Sequence, residues 1–136
     1  MVALSLKDKF VLITGGSSGI GLDLAGLFLK EKANVILTAS NPEKLKTAAG
    51  QLQKEFGREV LWLAKDLSDP ASCTQIFDEL FSRSIEVDIL VNNAGFGLYG
   101  KFETLDLDRC LRMVEVNAKA VIHLTRLFLP AMLKKK

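Results

Sequence analysis

Four short apolar runs alternate along this chain with stretches whose apolar residues recur every three or four positions, and little sequence lies between them. That alternation implies repeated strand-helix units and a parallel sheet, which restricts the chain to an α/β fold. The expected strands are Phe10–Thr14, Asn34–Ala39, Val60–Ala64 and Ile89–Asn92. Each is nearly all apolar, as strands are when helices cover both faces of a doubly wound sheet.

The intervening helices carry start signals. Asn41 can cap a helix with Pro42 at its first position, after which Leu45, Ala48, Ala49, Leu52 and Phe56 share one face. Asp69 and Pro70 repeat that opening before Ile76, Phe77, Leu80 and Phe81. From Leu105 to Lys134 the pattern is helical almost without a break, through Met113, Val116, Ala120, Leu124, Phe128 and Met132. Thirty residues is long for one helix in a small domain, and Asn117 is a poor helix former near its middle, so two helices joined at a kink there are expected. Pro130 is expected to weaken or end the last turn.

A chain of 136 residues suffices for one domain with a real core, and residues 1–136 are read as a single unit. Composition excludes several classes of function. Eighteen basic and sixteen acidic residues are interspersed except for Lys134–Lys136, so no nucleic-acid partner is implied, and the terminal lysines read as a solvated cluster favourable to a helix end. Cys73 and Cys110 are too few and too distant for a disulfide framework or a metal cluster, which suggests a reducing compartment and no metal. No apolar window reaches the length of a membrane-spanning helix, and a cytoplasmic location is expected.

The chemistry concentrates at the first strand-helix junction, Thr14-Gly15-Gly16-Ser17-Ser18-Gly19-Ile20-Gly21. Glycines let the backbone approach a ligand closely, and the free amides and dipole of a helix start favour an anion, so pyrophosphate fits. No lysine follows Gly21, which excludes the P-loop of a nucleoside triphosphatase. The spacing also differs from the G-x-G-x-x-G fingerprint of many dinucleotide-binding folds.

It resembles instead the T-G-x-x-x-G-x-G turn of the short-chain dehydrogenase/reductase family. Asp66-Leu67 sits where that family places a carboxylate accepting a hydrogen bond from the adenine amino group. Asn92-Asn93-Ala94-Gly95 matches its N-N-A-G, near the adenosine ribose. Asn117, within Glu115-Val116-Asn117-Ala118, matches the helix asparagine whose kinked backbone orders a water in the proton relay. These matches fall in register over roughly the whole chain. The resemblance implies a Rossmann-type sheet of about four strands in the order 3-2-1-4, incomplete beside the family pattern. It also implies a cofactor site made by Thr14, Gly15, Ser17, Ser18, Gly19, Ile20, Gly21, Ser40, Asn41, Asp66, Leu67, Asn93, Ala94 and Gly95. After the second strand the chain reads Thr38-Ala39-Ser40-Asn41, with no carboxylate to repel a 2'-phosphate. The cofactor is therefore NADP or NAD, leaning to NADP, with Lys44 as a further possible donor.

By the same resemblance the reaction is hydride exchange between nicotinamide and a carbonyl or alcohol. The family's acid/base tyrosine, the lysine four residues after it and the serine follow the helix that ends near Met132. Here the single tyrosine, Tyr99, has Glu103 four residues later, a carboxylate that would raise rather than lower a phenol pKa. Tyr99 is read as a packing or rim residue of a substrate region at Phe96–Lys101, and the sole histidine, His123, as a surface or packing residue. The chain is thus expected to carry the cofactor site without the catalytic Ser/Tyr/Lys set. The alternative is a non-catalytic dinucleotide-binding or interaction module. In either case an open edge on the fourth strand and uncovered last helices predict self-association or a partner.

Overall fold

The computed structural model describes residues 5–135. Its elements run β1 (Phe10–Thr14), α1 (Gly19–Lys30), β2 (Asn34–Ala39), α2 (Pro42–Phe56), β3 (Leu61–Ala64), α3 (Ala71–Ser82), β4 (Ile89–Val91), a 3-10 turn (Phe102–Thr104), α4 (Leu107–Val114), a π turn (Glu115–Lys119) and α5 (Ala120–Lys134). All strand pairs are parallel and the order is β3-β2-β1-β4, so β1 is central.

Successive strand residues feed opposite faces. On one face Val11, Ile13, Val35 and Leu37 pack against Ala25 and Leu29 of α1 and Leu45, Ala49 and Leu52 of α2. On the other, Leu12, Ile36 and Leu63 pack against Ile76 and Leu80 of α3 and Ala120, Leu124 and Phe128 of α5. This two-sided burial explains the unbroken apolar runs in the sequence.

Several boundaries depart from expectation for local reasons. Val60 is outside β3 because its N–H donates to the side chain of Gln53 at 3.1 Å. Asn92 is outside β4, since the chain turns there and the Asn93 N–H returns to the Val91 carbonyl at 3.0 Å. Asn41 caps α2 as expected, accepting the Lys44 N–H at 3.0 Å. The second start signal is shifted by a residue: Pro70 adopts helical dihedrals but has no N–H, α3 begins at Ala71, and the Asp69 carboxylate accepts the Ala71 N–H at 2.9 Å. The long helical stretch does divide around Asn117, through the five-residue π turn.

Pro130 does not end its helix. It lies exposed within α5, which continues to Lys134 because Leu124 and Phe128 before it and Met132 after it are packed on the core. The terminal lysines are not all merely solvated either. Lys135 donates to Asp88 at 2.8 Å and pairs with Glu86 at 3.2 Å, tying the end of α5 to the approach to β4, while Lys136 lies outside the described residues.

Candidate cofactor site

The glycine turn leaves β1 at the centre of the sheet and enters α1 at Gly19. Gly19 has φ +56°, a conformation that L side chains resist, and a Cβ there would meet no atom within 4 Å. Its backbone therefore lies at an open face. Gly21 serves the opposite purpose, because a Cβ on it would sit 2.5 Å from the Gly15 carbonyl oxygen and 2.6 Å from Asn93 Nδ2. Only glycine lets α1 start this close to the strand ends. Ser18 occupies the N-cap position of α1 in extended conformation, and its side chain makes no capping hydrogen bond. The first amides of the helix thus have no side-chain partner and suit an anion.

Thr14 and Asn93 lock β1 to β4 beneath this turn. The Thr14 hydroxyl accepts the N–H groups of Asn93 at 3.0 Å and Ala94 at 2.9 Å, and donates to the Val91 carbonyl at 3.4 Å. Asn93 Nδ2 donates to the Thr14 carbonyl at 3.0 Å. The hub is buried, with Thr14 1% exposed. Thr14, placed at the cofactor by the sequence, is thus held beneath the crevice surface, and its side chain organises the walls.

Above it opens a crevice of about 490 Å³ at the carboxyl ends of the strands. Gly15, Ser17, Ser18, Ile20, Ser40, Asp66, Leu67, Asn93, Ala94 and Gly95 line it, joined by Lys65, Phe96, Arg112 and Val116, which the sequence did not single out for the site. Gly19, Gly21 and Asn41 are not among its lining residues. Lys44 borders a separate depression beside Ser17.

Asp66 is the one carboxylate in that lining. Its Oδ1 accepts the Ser68 N–H at 2.9 Å and the Ser68 hydroxyl at 2.7 Å, while Oδ2 accepts from Arg112 Nη2 at 3.0 Å. Partial burial pushes its pKa up, but the Ser68 bonds and the Arg112 charge outweigh that and hold the carboxyl below its ordinary range. Asp66 is accordingly an ionised acceptor at neutral pH.

Asn117 sits in the π turn, facing the loop after β4. Its Oδ1 accepts the Phe96 N–H at 3.0 Å and its Nδ2 donates to the Phe96 carbonyl at 2.8 Å, so one side chain satisfies both backbone groups of that residue. A Cβ on Gly95 would lie 3.1 Å from Asn117 Oδ1, which leaves little room for a larger residue. Tyr99 is fully exposed on the loop beyond, and His123 and Cys73 border a different, apolar groove against α5. Among the described residues no group of His, Cys, Asp and Glu is placed to hold a metal ion, and no helix is long and apolar enough to cross a membrane.

The family model for short chain dehydrogenase matches residues 9–136. The chain belongs to the short-chain dehydrogenase/reductase family. Among curated members, a short chain dehydrogenase/reductase of Macrophomina phaseolina is 37% identical over 98% of this chain and 77% of its own length. An uncharacterized oxidoreductase of Bacillus subtilis is 36% identical, with 98% of this chain and 49% of the relative covered. Among solved structures, L-sorbose reductase from Gluconobacter frateurii, complexed with NADPH and L-sorbose, superposes with a TM-score of 0.89 at 33% identity, covering 97% of this chain and 50% of that one. A metagenomic family member in complex with NADP gives 0.88 at 32% identity, covering 96% and 59%. The chain spans about half the length of the Bacillus and Gluconobacter relatives.

Proposed function

We propose that this chain forms the NADP(H)- or NAD(H)-binding part of an oxidoreductase that exchanges hydride between nicotinamide and a small carbonyl or alcohol. The observation that carries the reading is the crevice at the strand ends, which residues at the open start of α1 and the ionised Asp66 both line. An anion-binding helix start and an acceptor for a nucleobase donor are the two ends of an adenosine diphosphate. The residues fit such a group. Gly15, Ser17, Ser18, Ile20 and the open backbone of Gly19 would surround the pyrophosphate, with Gly21 acting from beneath by letting α1 start close to the strand ends; Asp66 and Leu67 would take the adenine, Asn93, Ala94 and Gly95 the ribose side, and Ser40, with Asn41 beside the crevice, a 2'-phosphate. NADP is favoured because no carboxylate stands at Ser40 or Asn41, and the NADPH and NADP complexes of the family relatives support that choice.

When bound, the nicotinamide supplies or takes the hydride. The residues of this chain bind and orient the cofactor, and the backbone around Asn117 would help to order a water for proton transfer. Residues 1–136 are proposed as the dinucleotide-binding unit, with no Ser/Tyr/Lys set among them. A homo-oligomer or a partner covering the open β4 edge and the last helices is part of the same reading, as is a cytoplasmic setting. Calorimetric titration of the purified chain with NADPH and NADH tests it, alongside turnover on a panel of carbonyl compounds. Binding with NADPH preferred, and no turnover by the chain alone, is the expected result. Failure to bind either dinucleotide would overturn the reading, and turnover would overturn the catalytic incompleteness.

A further inference from the structure

Arg112 was absent from every sequence-based expectation, yet it reaches across the crevice mouth from α4 to the end of β3. Its partner oxygen is informative. A carboxylate offers about four lone-pair positions. Ser68 fills two of those on Asp66 with bonds to Oδ1, and Arg112 fills a third on Oδ2. One acceptor position remains, on the oxygen that Arg112 holds, in a crevice that both residues line. Such a position accepts a donor and repels another acceptor.

The placement of Arg112 is supported from both ends of its element. Asp106 caps α4 by accepting the Arg109 N–H at 2.8 Å, and beyond α4 the Asn117 clamp on Phe96 fixes the helix against the β4 loop. Val116, one turn after Arg112, also lines the crevice. The pair itself is half exposed and contributes little to folding, so it is removable without loss of the fold.

We propose that Arg112 is a positioning residue for nucleobase selection. It orients Asp66 Oδ2 so that a purine bearing an exocyclic amino group is taken in preference to one bearing a carbonyl at that position. The inference rests on the dinucleotide-binding reading above. Its test is the ratio of dissociation constants for NADPH and its deaminated hypoxanthine analogue, measured calorimetrically on the intact chain. The wild-type chain should prefer NADPH. Arg112→Ala should shrink that preference about three- to fivefold with an unchanged denaturation midpoint. Arg112→Lys should restore part of it, and Asp66→Asn should abolish it and leave no further effect for Arg112→Ala.

The inference is overturned if the wild type shows no preference, or if Arg112→Ala weakens both ligands by the same factor, as loss of a general positive charge would. An unchanged ratio in Arg112→Ala also removes it while leaving dinucleotide binding intact. A wild type that binds neither ligand removes the functional reading and this inference together. Should Arg112→Ala fail to fold, Arg112→Gln read against Arg112→Lys decides on the same ratio.

Discussion

At the residue scale the site depends on two glycines, one for space and one for its dihedral, and on one hydroxyl that makes three hydrogen bonds. Gly21→Ala would drive a methyl group into the Gly15 carbonyl and Asn93. Overpacking of this kind costs about 1–3 kcal/mol, so a urea melt should show that loss and α1 should lift from the crevice, weakening NADPH binding. Gly19→Ala meets no neighbour but must hold φ +56°, and should cost about 1–2 kcal/mol from backbone strain alone. Thr14→Val keeps the shape and removes the hub, leaving the Ala94 N–H without its acceptor and the Asn93 N–H with the Val91 carbonyl alone. A loss of about 1–3 kcal/mol is expected from that unsatisfied group, with Thr14→Ser close to wild type in the same melt. The sequence made the glycines legible through their spacing. It did not make Thr14 legible as a structural hub, because a threonine at a strand end says nothing of where its hydroxyl points. Arg112 was hidden for a related reason, since its partner lies 46 residues away and only the crossover of α4 brings them together.

At the scale of elements, local helix signals set the boundaries except where tertiary packing overrides them. Asn41 and Pro42 open α2, and Asn117 marks the division of the last helical stretch, as their chemistry suggests. Pro130 is the counterexample, because one missing backbone bond in an exposed position is outweighed by the packed residues on either side. Pro130→Ala should therefore stabilise the chain, by about 1–3 kcal/mol in chemical denaturation, by restoring that bond and relieving the ring's contact with the preceding turn. The junction of α5 with the sheet supplies a pH dependence. Burial raises the Asp88 pKa, but the bond from Lys135 and the Phe10 N–H outweigh it and hold the carboxyl below its ordinary value of 3.8. A carboxyl with a depressed folded pKa contributes stability that is complete above its unfolded pKa and is lost as pH falls through the folded one. Stability of the wild type should thus fall as pH drops below about 4, and Asp88→Asn should be less stable at neutral pH with a flatter acid limb.

For the whole molecule, a parallel sheet was legible from the apolar runs that two-sided burial requires, whereas its order, β3-β2-β1-β4, followed only from the family resemblance. What the sequence left open is how the outer surfaces are covered. β4 pairs on one side only, and Leu107, Leu111, Ile122 and Leu133 are each more than half exposed along the last helices. Surface of this kind drives association, so the midpoint of thermal unfolding should rise with protein concentration, and sedimentation should show species larger than one chain. A melt independent of concentration, from a monomer, would contradict this.

The crevice walls come from residues 15–20, 39–40, 65–68, 93–96 and 112–116, so nearly the whole chain must be in place before the site exists. During synthesis the glycine turn emerges first, yet it should have no useful affinity until α4 has left the ribosome and Arg112 can reach Asp66. Ligand occupancy would then report completed folding of this unit, and a dinucleotide at one hundred times its dissociation constant would add about 2.7 kcal/mol to the finished fold while adding nothing to its precursors.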